Sequence, residues 1–264
     1  MNHQGIIYVA TGPKYLAEAL RSVASVRRVM PGVSITLFSD QVPPLGVFDL
    51  VIPVEGGGMG RPAKIRSMAN SPYEQTLFLD SDTWMCQPCA DIFWPLEKGY
   101  DLAAAHEVYR NEYAFEQFPD SFPALNTGVL AWRKSAKTAA FFQAWENSYI
   151  NVFRHKRPAD QPAFRHTLFH SDLQHYILPP EFNFRTNYPV VLGGFARAKI
   201  IHDRSPYLHE LAALLGEDTG HPPVFFGRVN WRFWFIWAWI RCRTLVSRAY
   251  TMGPGGLLRR LINR

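Results

Sequence analysis

An α/β fold, with a mostly parallel central sheet flanked by helices, is what this sequence predicts, on three observations. Apolar strand-like runs alternate with helix-like periodicity from Gly5 to Asp80. Turn residues punctuate each change of period, as at Thr11-Gly12, Pro31-Gly32 and Ser39-Asp40. An apolar fraction of 47% in 264 residues is ample for a substantial core.

The elements follow in order. Gly5-Ile6-Ile7-Tyr8-Val9-Ala10 reads as a first strand, and Thr11-Gly12 turns into a helix opened by Pro13, a residue suited to the first turn. Leu16, Leu20, Val23, Val26, Val29 and Met30 keep helical spacing until Pro31-Gly32 stops them. Ile35–Phe38 gives the second strand and Val47–Val54 the third. A glycine-rich turn (Gly56, Gly57, Gly58, Gly60) leads to a short helix over Ala63–Ala69. Farther on, Leu102–Ala105 and Thr127–Trp132 read as strands, Ser135–Phe153 as one long helix and Ala163–Phe169 as a shorter one. Ile177-Leu178 and Lys199–Ile201 are short apolar strands. The composition breaks near Gly216–Pro223, dividing the chain into a body of residues 1–219 and a segment of residues 220–264.

Between the short helix and Leu102 lies the run Thr76-Leu77-Phe78-Leu79-Asp80-Ser81-Asp82-Thr83. It carries a strand outward and delivers two carboxylates where the strand gives way to loop, which is where open α/β sheets place their chemistry. Two such acids can grip a hard divalent cation, and that cation can hold a diphosphate. Asp is also an ordinary turn residue, so the pair alone is ambiguous.

Other stretches supply companion groups. Ala10-Thr11-Gly12-Pro13-Lys14-Tyr15 offers backbone groups and an aromatic ring at the end of the first strand. Lys64 and Arg66 suit phosphate oxygens or a solvated helix face. Leu125–Leu130 places Asn126, Thr127 and Gly128 at the head of a strand, where a ligand can approach the backbone. Asp160-Gln161 opens a helix, as a plain N-cap or as functional groups. Ile200-Ile201-His202-Asp203 brings an imidazole off an apolar strand, which would complete a three-ligand set with Asp80 and Asp82. Mixed oxygen and nitrogen donors favour Mn²⁺, with Mg²⁺ second.

The ordered strings YVATGPKYLAEALRSVASV, LFLDSD, LNTGVL, DQPAF, LPPEFN and KIIH resemble the nucleotide-sugar glycosyltransferases of the Rossmann-like GT-A type, in particular glycosyltransferase family 8, over roughly residues 5 to 205. That resemblance implies a hexosyl transfer with retention, from a nucleotide-diphosphate sugar of UDP type to a glycan or lipid-linked acceptor. It also implies roles. Asp80 and Asp82, with His202, would hold the metal, with Ser81 between them in the cofactor-binding set; Thr11 and Tyr15 would meet the base, and Lys64 the diphosphate or sugar. Asn126, Asp160 and Gln161 would line the sugar and the reacting centre. Where the family shows Gly and then Lys-Pro-Trp after its histidine, this chain reads Asp203-Arg204-Ser205-Pro206-Tyr207, leaving Arg204 and Lys199 as substitutes for the lysine that faces the leaving diphosphate. The family's carboxylate two places after its Asp-Gln acid is also missing, since Ala163 follows Pro162.

Two enzyme rivals are weaker. An Asp-x-Asp phosphatase needs Thr four residues after its first acid, whereas Thr83 is three after Asp80. A sugar-phosphate nucleotidyltransferase would carry its glycine-rich loop after the first strand, and Gly57-Gly58-Met59-Gly60-Arg61 comes later. A non-catalytic, membrane-associated nucleotide-sugar-binding protein is the reading from another class.

Charge narrows the partners. Residues 220–264 hold eight arginines and no Lys, Asp or Glu, so of the +6 total the remaining 219 residues carry −2. A near-neutral body disfavours nucleic acid. Val229–Arg241, with four tryptophans bracketed by arginines, is too short for a bilayer span of about 20 residues but suits an anionic membrane surface. The start Met1-Asn2-His3-Gln4-Gly5 lacks a basic n-region, and three cysteines make no disulfide framework. The expectation is a cytoplasmic protein, peripheral at the inner face of the membrane. Cys86-Gln87-Pro88-Cys89 lacks the second pair of a zinc ribbon, and His166 and His170 lack an acid between them.

Overall fold

The computed structural model describes residues 3–54, 60–107, 118–155, 159–185, 191–192, 197–204 and 208–213, with short pieces at 225–226, 238–239, 242–243 and 246. Eleven strands lie among them: β1 (Gln4–Ala10), β2 (Ser34–Ser39), β3 (Leu50–Pro53), β4 (Gln75–Leu79), β5 (Thr83–Met85), β6 (Leu102–His106), β7 (Leu125–Arg133), β8 (His175–Leu178), β9 (Val191–Leu192), β10 (Ile200–His202) and β11 (Phe225–Phe226). The α-helices are α1 (Pro13–Val29), α2 (Arg61–Ala69), α3 (Trp94–Glu97), α4 (Ala136–Ser148), α5 (Gln161–Phe169) and α6 (Leu208–Ala212).

Seven strands form the central sheet in the order β3-β2-β1-β4-β7-β6-β8. All run parallel except β7, which pairs antiparallel with both β4 and β6. Strand succession runs outward from β1 through β2 to β3, and the next strand, β4, lies on the other side of β1. The gap between the ends of β1 and β4 is therefore the topological switch point, where such sheets leave a crevice. Because β7 runs the opposite way, its first residues reach the same edge: Leu79 pairs with Val129, and the Asp80 N–H donates to the Gly128 carbonyl at 2.7 Å.

Alternation along the strands fills both faces of the sheet. Ile6 and Tyr8 of β1 and Leu77 and Leu79 of β4 pack with Val23 and Val26 of α1, while Ile7 and Phe78 pack with Ile65, Phe141, Trp145 and Phe164 on α2, α4 and α5. Burial on both faces makes these strands continuous apolar runs, which is what made them legible.

Several elements differ from expectation. The third strand begins at Leu50, because Asp49 turns its carboxylate to the Ile35 N–H at 2.7 Å and to Arg27 at 2.7 Å. The helix expected over Ser135–Phe153 is α4 followed by a π-helical turn at Tyr149–Phe153; Ser135 caps it reciprocally with Thr138. Strand β5 was not foreseen. It pairs antiparallel with β10 in a separate two-stranded ribbon, with His202 opposite Thr83. Gly56, Gly57 and Gly58, the break at Gly216–Pro223 and most of the arginine- and tryptophan-rich segment lie outside the described residues.

Candidate active site

The site is assembled where β4 runs out. Thr83 turns the chain back by donating its N–H (3.2 Å) and hydroxyl (2.8 Å) to the Asp80 carbonyl, so Asp80 and Asp82 flank a tight bend. The β5–β10 ribbon then lays His202 across that bend, and the Asp203 N–H donates to the Asp82 carbonyl at 3.0 Å. Nε2 of His202 ends 3.6 Å from Asp80 Oδ2 and 3.5 Å from Asp82 Oδ1. Two donor atoms bound to one ion at roughly 2.1 Å stand about 3.0–3.4 Å apart, so these three need only a small contraction to share a cation. One ligand atom from each lies within 4.8 Å of the others. Two carboxylate oxygens and an imidazole are a donor set that could hold a divalent cation.

Gly128 makes the convergence feasible. A Cβ there would meet His202 Cε1 at 2.0 Å and Asp80 Oδ2 at 2.7 Å. The glycine serves close approach and not an unusual backbone angle.

A cationic wall faces the acids. Gly60, with φ +100°, starts α2, and Lys64 lies one turn in, its N–H bonded to the Gly60 carbonyl. The ammonium is 3.0 Å from Asp80 Oδ1 and 3.2 Å from Asp160 Oδ2, and sits 4.7 Å above the Phe78 ring. Burial alone would lower its pKa; the charges of Asp160 and Asp80 outweigh that and raise it. Lys64 is thus a half-buried cation, whereas Arg66 turns away to Glu146. Asp160 precedes α5 but makes no side-chain cap; its carboxylate also lies 3.6 Å from Arg61 Nε.

On the other flank Glu18 of α1 accepts from Ser81 Oγ (2.9 Å) and from Arg204 Nε (3.1 Å) and Nη2 (3.4 Å). Arg204 Nη2 also lies 3.6 Å from Asp82 Oδ2, and the guanidinium stands 5.6 Å from the centre of the Tyr15 ring. Burial pushes the Asp82 carboxyl upward, but His202 and then Arg204 hold it well below the usual carboxylate range.

Val9, Thr11, Tyr15, Gly60, Arg61, Lys64, Asp80, Ser81, Asp82, Asp160 and Arg204 line a single cleft of about 480 Å³. It therefore gathers eight of the residues named from sequence: Thr11, Tyr15, Lys64, Asp80, Ser81, Asp82, Asp160 and Arg204. His202 adjoins it through the acids. Asn126 and Gln161 are buried behind it, where Asn126 Nδ2 (2.7 Å) and Gln161 Nε2 (2.8 Å) both donate to Glu107 Oε2. Asn126 Oδ1 accepts from the Gly128 N–H (2.8 Å) and from Asn183 Nδ2 (2.9 Å), and Asn183 Oδ1 faces His202 Nδ1 at 3.0 Å.

Lys199, one of the two substitutes expected for the missing lysine, is instead tied to Asp91 and lies over Phe182, whereas Arg204 lines the cleft. Glu18, Arg61, Glu107 and Asn183 were not singled out from sequence. Glu18 and Asn183 fall inside the strings YVATGPKYLAEALRSVASV and LPPEFN, but no local feature of either string marks them. Cys86 and Cys89 are buried thiols, and the His166 and His170 rings pack on each other 4.7 Å apart.

Residues 72–205 match the sequence profile of the nucleotide-diphospho-sugar transferase family. The fold is similar to that of the glycosyltransferase GlyE of Streptococcus pneumoniae TIGR4, with a TM-score of 0.57 and 16% identity over 77% of this chain and 55% of that one. It is similar also to the galactosyltransferase LgtC solved with donor and acceptor sugar analogues, with a TM-score of 0.56 and 14% identity over 82% of this chain and 98% of that one. A third neighbour, the bifunctional glycosyltransferase WbbM, gives a TM-score of 0.52 at 13% identity over 76% and 45%. The chain thus spans about 55% of the length of GlyE and nearly all of LgtC. Among curated proteins no sequence matches.

Proposed function

Since the chain belongs to the nucleotide-diphospho-sugar transferase family and is a glycosyltransferase, we propose that it moves a hexose from a UDP-sugar to a glycan or lipid-linked acceptor, with Mn²⁺ and with retention. The observation that carries this reading is the convergence of Asp80, Asp82 and His202 beside Lys64, Asp160 and Arg204 in one cleft at the switch point.

Asp80, Asp82 and His202 would hold the ion, which when bound would neutralise charge on a diphosphate. Tyr15 and Thr11 offer a ring and a polar edge to the base at the lip of the cleft. The reaction breaks the bond between the anomeric carbon and the diphosphate oxygen; the electron pair leaves with the diphosphate, and the sugar becomes oxocarbenium-like. Arg204, preset by Glu18, supplies positive charge where the leaving group gains negative charge. Lys64 pairs with Asp160 at the wall of the cleft, so its carboxylate would face the electron-poor sugar. The acceptor hydroxyl forms the new bond from the face the diphosphate leaves, and its proton passes to the departing phosphate oxygen.

A binding screen of UDP-, GDP- and CMP-sugars with Mn²⁺, followed by turnover of the best ligand, tests the reading. Release of free nucleoside diphosphate, an α-linked product from an α-linked donor, and loss of activity on chelation are expected. Release of pyrophosphate, or equal activity after metal stripping, would overturn it.

The domain division at residue 219 and a cytoplasmic, membrane-peripheral placement belong to the same proposal. They rest on the +8 charge and tryptophans of residues 220–264. Among the described residues no helix is long and apolar enough to cross a membrane. Flotation with anionic liposomes should retain the full chain and lose one cut after Pro223; equal binding of both would remove the segment as an anchor.

A further inference from the structure

We propose that Glu107 is a remote positioning residue for the metal site, fixing the tautomer of His202 through a directional relay of Asn126 and Asn183. The inference rests on the metal-site reading above only for its purpose, because the relay itself is built from hydrogen-bonding chemistry.

Each direction follows from groups whose roles cannot change. The Gly128 backbone N–H can only donate, so the Asn126 atom it meets at 2.8 Å is oxygen. The Glu107 carboxylate can only accept, so the Asn126 atom that meets it at 2.7 Å is nitrogen. With Asn126 pinned at both ends, Asn183 must present its nitrogen to Asn126 Oδ1, at 2.9 Å. That leaves Asn183 Oδ1 facing His202 Nδ1 at 3.0 Å, and an acceptor there requires Nδ1 to carry the proton. Nε2 is thereby left as the nitrogen that faces Asp80 and Asp82.

Metal-bound histidines commonly donate their second N–H to a carboxylate or carbonyl. Here the carboxylate is two amides away, and Glu107, Asn126, Asn183 and His202 are all buried, so water does not readily substitute for a missing link. Glu107 Oε2 also accepts from Gln161, the residue next to Asp160. One carboxylate therefore anchors both the imidazole and the start of α5.

The test has two readouts on the full chain. In metal-free protein, ¹⁵N NMR should show His202 Nδ1 carrying a hydrogen-bonded proton, and that hydrogen bond should be lost or weakened in Asn183→Leu and Glu107→Leu. Mn²⁺ titration followed by EPR should show affinity falling about 10-fold in both variants, in the range typical of outer-shell changes. Glu107→Gln, which keeps an acceptor for both amides, should restore most of it and also guards against misfolding of the leucine variant. In an Asn183→Asp background, where the acceptor for Nδ1–H no longer depends on Asn126, the Glu107→Leu penalty should vanish. A wild-type His202 without a proton on Nδ1, or a Glu107→Leu penalty that persists beside Asp at 183, would overturn the relay. Correct tautomers with no Mn²⁺ binding by the wild type would instead leave the relay standing and sink the metal reading.

Discussion

A methyl group on Gly128 would stand 2.0 Å from Cε1 of His202, so the glycine and the imidazole occupy mutually exclusive space. Gly128→Ala should displace the imidazole from between the two aspartates. We expect Mn²⁺ binding to fall beyond detection and a loss of about 1–3 kcal/mol of stability from overpacking. Calorimetric titration and thermal melts check both; unchanged metal affinity would mean that His202 is not a ligand.

Lys64 is shared by Asp80 and Asp160, so its removal strands two acids. Lys64→Met should lower both the melting temperature and kcat, the latter by roughly 10²–10³-fold. Adding Asp160→Asn should recover part of the stability but none of the rate, because the stranded carboxylate is neutralised while the cation stays absent. Asp160→Asn alone should abolish turnover and leave UDP binding intact; loss of nucleotide binding would assign Asp160 to positioning.

Arg204 lines the cleft, with Glu18 holding it from behind. Arg204→Ala should reduce kcat about 10²-fold while leaving Mn²⁺ affinity within a few-fold of wild type, since it stabilises developing charge and does not ligate the ion. A rise in KM with kcat unchanged would limit Arg204 to ground-state binding.

Asp82 has a folded-state pKa below its ordinary 3.8, with burial outweighed by His202 and Arg204. A depressed carboxylate contributes stability above its unfolded value and loses it as pH falls through the folded value. Metal-free Asp82→Asn should therefore melt below wild type at about pH 5, with the gap closing as acid is taken below 3.8. A gap that widens in acid would contradict this balance of charges.

The sheet was legible because its strands are apolar on both faces and end in abrupt polar turns, as at Leu79-Asp80 and Phe38-Ser39. The acids of the site stood out for the same reason. Strand β5 did not, since Thr83-Trp84-Met85 is too short for any periodicity and exists only by pairing with β10. Glu18, Glu107 and Asn183 were hidden differently: each is one polar residue buried by tertiary contacts, and nothing local marks it. Lys199 shows the converse error, in which proximity in sequence to His202 suggested proximity in space, but side chains three apart on an extended segment point to opposite sides.

The reversed direction of β7 makes one edge of the site independent of the connection that precedes it. The Glu107 N–H to Ala124 carbonyl bond of 2.7 Å ties the end of β6 to the approach of β7. An insertion or deletion between those two residues costs closure entropy that grows slowly with length. Val129 would still pair with Leu79, and the Asp80 N–H would still meet the Gly128 carbonyl. The acids are thus positioned by sheet pairing, and a change of length between β6 and β7 should leave their spacing intact.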